Sequence, residues 1–427
     1  MMSTNFLSGA NSRLLPPSIP FRFFMAAMIF YLLFWAALLY NADDITSYMM
    51  GSGPMLGTIH MATLGVLTMT VIGASLQLLS VATRRAFKAF WICRLLSWIY
   101  IPGFMLLAYG MFSGWYMGML AGACITGTGL LIFFGLIIHN IRGVQGMAAI
   151  MQHCWAAMLS LLALVALGIM LIFDMEHGFM GDHLAVVISH FILAVFGFMS
   201  LLAMGFSYIL VPMFALAPAP PEKIGRLSIA CNVLAIIIML VGVNMYLPWV
   251  TLAGAVLAMG GVGLYLLGMT GVYRARMRKR LGVPFLLIRI GWFMLFLTVL
   301  WGGAGLLNLW PDTGHSLFAV LAIIGWLLTF LTGILQRIIP FLSSMHTSGS
   351  GGIPMLASSM ADERYLLVNA TGHLGGLFLV ALGVALDKTV IIQGGAALGL
   401  IGAGALLLYM VTVVRHMIAN QPEESIG

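Results

Sequence analysis

Twelve stretches of apolar sequence follow one another with only short polar breaks between them. Each is long enough for the roughly 20-residue helix that crosses a bilayer. They run approximately 21–41, 54–82, 88–111, 115–140, 147–173, 183–216, 225–246, 248–273, 284–308, 315–343, 364–386 and 390–417. The runs are continuously apolar rather than alternating, which excludes a β-barrel. The first has no small-residue cleavage site and is followed by further spans, so it reads as a helix and not as a cleaved signal. Only 7% of residues are charged and 62% are hydrophobic, whereas soluble domains carry about 25% charge. A soluble surface and a disordered chain are both excluded. The expected fold is an all-α membrane protein of twelve transmembrane helices forming one integral domain.

The charges orient these helices, numbered here in chain order. Arg13 and Arg22, the Arg84–Arg85–Lys88 group, Arg142, Lys223 and Arg226, the run Arg274 to Arg280, Arg364 and Arg415 all fall on one side. Asp43, Asp44, Asp174, Glu176, Asp182 and Asp312 fall on the other, where Lys388 is the basic residue. The positive-inside rule then makes both termini cytoplasmic, in a bacterial inner membrane. The run 274–280 reads as a determinant of this topology rather than a lipid- or partner-binding patch. The net charge of +7 forms no single basic patch, so nucleic acid is not an expected partner. Membrane lipid is. Cys93, Cys124, Cys154 and Cys231 all lie in spans, without CxxC or CxxCH spacing. They read as small buried hydrophobes, which leaves no disulfide and no covalently attached haem. The scattered methionines read as packing filler.

Three helices end alike. Helix 2 carries Gly73-Ala-Ser-Leu-Gln-Leu-Leu-Ser80, helix 6 Gly205-Phe-Ser-Tyr-Ile-Leu-Val-Pro212 and helix 10 Gly333-Ile-Leu-Gln-Arg-Ile-Ile-Pro340. The glycines are 132 and 128 residues apart, the length of four helices with their loops. The chain therefore divides into three four-helix repeats, approximately 21–140, 147–273 and 284–417.

Each of these helices also begins with histidine: His60 on helix 2, His183 and His190 on helix 6, His315 on helix 10. His183 and His190 are two turns apart and share a face. A neutral imidazole ligates haem iron or copper. Gly57 and Gly65 near His60, and Gly197 beyond His190, offer room for a flat ring. The alternative is that each histidine hydrogen-bonds a neighbouring helix. His153 and His373 lie in the opposite, cytoplasmic halves of helices 5 and 11. No Asp or Glu can be placed deep in the spans, which weakens an ion-coupled transporter or an acid-relayed proton pump.

On these residues the chain resembles the central subunit of the haem–copper oxidase superfamily, nearest to its cbb-type oxidase, nitric-oxide reductase and NnrS-like branch. The segments are His60-Met-Ala-Thr-Leu-Gly65, His183 and His190 running to Val211-Pro212, and Gly314-His315 running through Gly325-Trp326 to Ile339-Pro340. The resemblance covers the whole chain in topology and three helices in motif. It implies His60 as a haem ligand, His315 as another, and His190 or His183 as a metal (copper) ligand. It departs from the family on helix 7, which has no histidine, and on helix 10, which has one where the family has two. An incomplete ligand set suits one haem b, with or without a poorly coordinated copper.

The resemblance implies a haem-binding membrane redox protein, possessing or lacking oxidoreductase activity. It would handle nitric oxide or dioxygen, or pass electrons within a respiratory assembly. Electrons would come from quinol, other respiratory subunits or an external donor, since no cupredoxin or cytochrome c domain is attached. Two other readings stand beside it: a cofactor-poor structural or assembly subunit of the same fold, and a transporter of an uncharged or metal substrate.

Overall fold

The structure, a computed structural model, describes residues 13–48, 50–349, 360 and 362–420. Among these it contains twelve helices long and apolar enough to cross a membrane. They are α1 (Ser18–Tyr40), α2 (Pro54–Ala82), α3 (Phe90–Ser113), α4 (Tyr116–Ile141), α5 (Ala148–His177) and α6 (His183–Ala215). The second half adds α7 (Glu222–Asn244), α8 (Pro248–Arg274), α9 (Gly282–Leu306), α10 (Gly314–Thr347), α11 (Glu363–Ala385) and α12 (Thr389–Ala419). No strand occurs among the described residues. The chain is an all-α multi-pass membrane protein.

Burial separates inner from outer helices. The most apolar 18 residues of α2 are 94% buried and those of α10 are 78% buried, against 33% for α5, α7 and α8. Helices α2 and α10 are the most buried, and α6 joins them through the contact of its π stretch with that of α10.

The outer helices come largely as tight hairpins: α3 with α4, α7 with α8, and α11 with α12. All three close the same way. A residue of positive φ (Gly114, Tyr246 or Asp387) ends the first helix. The next N–H then bonds back to a carbonyl in the last turn: Trp115 to Gly110 at 2.9 Å, Leu247 to Gly242 at 2.8 Å, Lys388 to Gly383 at 2.8 Å. This closure satisfies an orphan carbonyl of the helix end. The same three glycines admit the partner backbone. A Cβ at Gly110 would stand 2.4 Å from the Met119 nitrogen, and one at Gly242 2.6 Å from the Thr251 nitrogen. One at Gly383 would stand 2.7 Å from the Ile392 nitrogen. In lipid no hydrophobic force drives helices together, so close backbone approach supplies the attraction.

Each central helix contains a π-helical stretch, and the three recur at nearly constant spacing: Met61–Thr68, Ile192–Ser200 and Leu321–Leu328. A hydroxyl at the end of each reaches back five residues. Thr68 donates to the Thr63 carbonyl at 2.9 Å, Ser200 to Val195 at 2.7 Å and Thr329 to Ile324 at 2.8 Å. The widened turn lets the side chain return to a carbonyl one place beyond the ordinary α partner. The stretch of α10 packs against those of α2 and α6.

Two expectations need correction. Cys124 is exposed and Cys231 only half-buried, so two of the four cysteines are not core residues. An outward face in lipid is as apolar as a core, and a small side chain there loses nothing. Gly57, Gly65 and Gly197 do not make room for a flat ring. A Cβ at Gly57 would meet Phe112 at 3.0 Å, one at Gly65 Phe30 at 2.8 Å, and one at Gly197 Ser160 at 2.7 Å. Helix packing already uses all three.

Candidate cofactor site

A cavity of about 960 Å³ opens in the acidic-end half of the bundle, between the central helices and α3, α4, α5, α7, α8 and α9. It lies at the upper end of the roughly 300–1,000 Å³ typical of ligand pockets. Its walls are mostly aliphatic, and His60, His190 and His315 all line it.

His60 sits where α2 passes from α-helix into its π stretch. Its Nδ1 lies 2.9 Å from the Leu56 carbonyl. A carbonyl only accepts, so Nδ1 carries the proton and Nε2 keeps its lone pair. An Nδ1–H held by a backbone carbonyl is the arrangement that orients a ligating imidazole.

His190 lies two residues before the π stretch of α6. Its Nδ1 is buried and has no hydrogen-bond partner. An unsatisfied buried polar atom costs about 1–3 kcal/mol. The ring is held by shape: a Cβ on Gly168 of α5 would stand 3.2 Å from its Cε1.

His315 is different. It is exposed at the first turn of α10 and meets the Trp310 ring edge-on at 4.8 Å. His183 does not line the cavity. Its Nδ1–H donates to the Asp174 carboxylate at 2.6 Å. Asp174, in the last turn of α5, is itself only 6% exposed and also accepts from the Met180 N–H at 2.6 Å. The shared face of His183 and His190 therefore splits, one ring tied to a carboxylate and the other in the cavity. Next to this pair, Asp182 caps α6 by accepting from the Ala185 N–H at 3.0 Å and takes the Tyr246 hydroxyl. The Tyr246 bond first, and the Ala185 N–H second, hold its carboxyl below the usual aspartate range.

His153 and His373, in the other half of the bundle, are placed apart from the cavity. His373 is fully buried, with both ring nitrogens engaged: Tyr31 at 2.6 Å on Nδ1 and Thr329 at 2.8 Å on Nε2. The Thr329 hydroxyl spends its one hydrogen on the Ile324 carbonyl. It must accept from Nε2–H, so Nδ1 accepts from Tyr31. This histidine joins α1, α10 and α11 and is not a free ligand. His153 donates Nδ1–H to the Ala149 carbonyl at 2.7 Å, and its buried Nε2 has no partner.

Haem fits the residues that line the cavity: two imidazoles with unengaged nitrogens, apolar walls, and small residues that leave space. Those small residues are not the glycines picked out in the sequence. They are Gly127 of α4, Gly168 of α5 and Gly303 of α9. A Cβ on Gly303 would meet nothing within 4 Å. No pattern in the sequence distinguishes them among 50 glycines. Copper does not fit. Among the described residues no three His, Cys, Asp or Glu side chains come together as a metal site, and α7 offers no imidazole.

No known family profile matches the chain, and no curated protein sequence matches it. Its fold, however, is similar to that of a solved structure described as a heme-copper terminal oxidase dimer. The TM-score is 0.61 at 10% sequence identity, over 95% of this chain and 84% of the oxidase chain. At that identity the likeness is one of fold. The two chains share an architecture.

Proposed function

We propose that this chain is a haem-binding redox protein of the membrane, built on the haem–copper oxidase fold. The observation that carries the reading is that His60 and His190 bring ring nitrogens without protein partners to one apolar cavity. His60 would hold the haem iron, and His190 and His315 also line the cavity. The bound haem, non-covalent since the cysteines lack attachment spacing and read here as b-type, would supply one-electron chemistry or a coordination position for nitric oxide or dioxygen. The protein residues orient the ligating rings and exclude water. The basic ends of the helices face the cytoplasm, both termini included, in a bacterial inner membrane. Electrons arrive from quinol or from another subunit of a respiratory assembly. His183 stays outside this site, held by Asp174.

The test is an optical spectrum with metal analysis of the purified protein, after expression with ample haem. The expected result is a Soret band at about one haem per chain that weakens in His60→Ala. A folded protein with no Soret band overturns the reading. That outcome would favour the cofactor-poor structural subunit.

A further inference from the structure

We infer that His60 and His190 would together hold one haem, and that His315 would not. This rests on the haem reading above and goes further, because it assigns the coordination state.

The argument begins with depth. His60 lies six residues into α2 and His190 seven into α6, while His315 is the second residue of α10. At 1.5 Å per residue these are roughly 9, 10 and 1.5 Å from the acidic-end start of each helix. The π stretches provide an independent ruler. His60 immediately precedes the first residue of its stretch and His190 precedes its own by two, but His315 stands six ahead. Measured either way, His60 and His190 occupy equivalent levels of two neighbouring central helices. His315 stands at the rim.

Protonation and packing agree with the pairing. The Leu56 carbonyl fixes the His60 proton on Nδ1 and leaves Nε2 for a ligand. The buried Nδ1 of His190 has no protein partner, and no hydrogen bond competes for the ring. The wall contributed by α4 and α5 is made small at Thr126, Gly127 and Gly168. A Cβ on Gly168 would stand 3.2 Å from the His190 ring edge, and a larger side chain there would press on it. His315 instead packs on Trp310. Two imidazoles on one iron leave no open position. The site so built suits electron transfer rather than the binding of a gas.

The test uses the full-length holoprotein and reads coordination, not activity. Optical and EPR spectra of the wild type should show a low-spin, six-coordinate haem that does not bind carbon monoxide. His190→Gly should keep haem but become high-spin and bind carbon monoxide, and added imidazole should restore the low-spin spectrum. His315→Ala and His183→Ala should remain low-spin. Gly168→Val, which leaves both ligands in place, should raise the high-spin fraction. Size-exclusion profiles of each variant confirm folding. A low-spin spectrum retained in His190→Gly, or lost in His315→Ala, overturns the pairing while leaving haem binding intact. A haem-free wild type overturns both readings.

Discussion

His373 shows how a single buried polar residue is decided by its surroundings. Its sequence position allows it to be a ligand or a hydrogen-bonded strut. The structure makes it a strut, because Tyr31 accounts for Nδ1 and Thr329 for Nε2. Neither partner is near it in sequence, so nothing local reveals them. Removing the ring leaves the Tyr31 hydroxyl stranded among Trp35 and other buried groups. We expect His373→Ala to destabilise the protein by about 1–3 kcal/mol. Tyr31→Phe should cost about 1 kcal/mol, the scale of an interhelical hydrogen bond in a membrane. Thermal unfolding in detergent checks both. The haem spectrum expected on the proposed function should survive in each, since neither residue lines the cavity.

At the scale of the element, the π stretches set α2, α6 and α10 apart. The repeated glycines Gly73, Gly205 and Gly333 already mark these helices in the sequence, 132 and 128 residues apart. What they do not announce is the widened turn upstream. Thr68, Ser200 and Thr329 recur at nearly the same interval and are the signal that could have revealed it. Serine and threonine are common in membrane helices, so the interval carries weight only beside the glycines. Ser200 has two duties: it donates to Val195 and accepts from the Trp326 indole at 2.8 Å. Ser200→Ala leaves that buried indole N–H unpaired and should cost about 1–3 kcal/mol. Thr68→Val loses the bond to the Thr63 carbonyl, while its side chain also neighbours the Tyr100 hydroxyl, and should cost about 1 kcal/mol or less. Comparing the two melting temperatures tests the ranking, and equal values would contradict it.

Over the whole molecule the charges assign the two ends. Met277 and Arg278 fold back to bond the Leu216 and Ala215 carbonyls, so the basic loop after α8 lies against the end of α6. Asp312 lies at the opposite end, beside the cavity. On the proposed orientation, a membrane-impermeant thiol reagent should label Lys279→Cys only from the cytoplasmic side and Asp312→Cys only from outside. All native cysteines are first changed to alanine. The reverse pattern would invert the orientation. Hydropathy and charge by themselves determined twelve helices and which ends share a side, because every backbone group in lipid must be satisfied within its own helix. That requirement is local, and local sequence meets it. Which histidines share a cavity, which is tied to a carboxylate and which glycines leave space were decided only by the tertiary structure. Those outcomes depend on how α4, α5 and α9 close around the central helices. A sequence can place His183 and His190 on one helix face, but only the packed neighbours put Asp174 against one and Gly168 against the other.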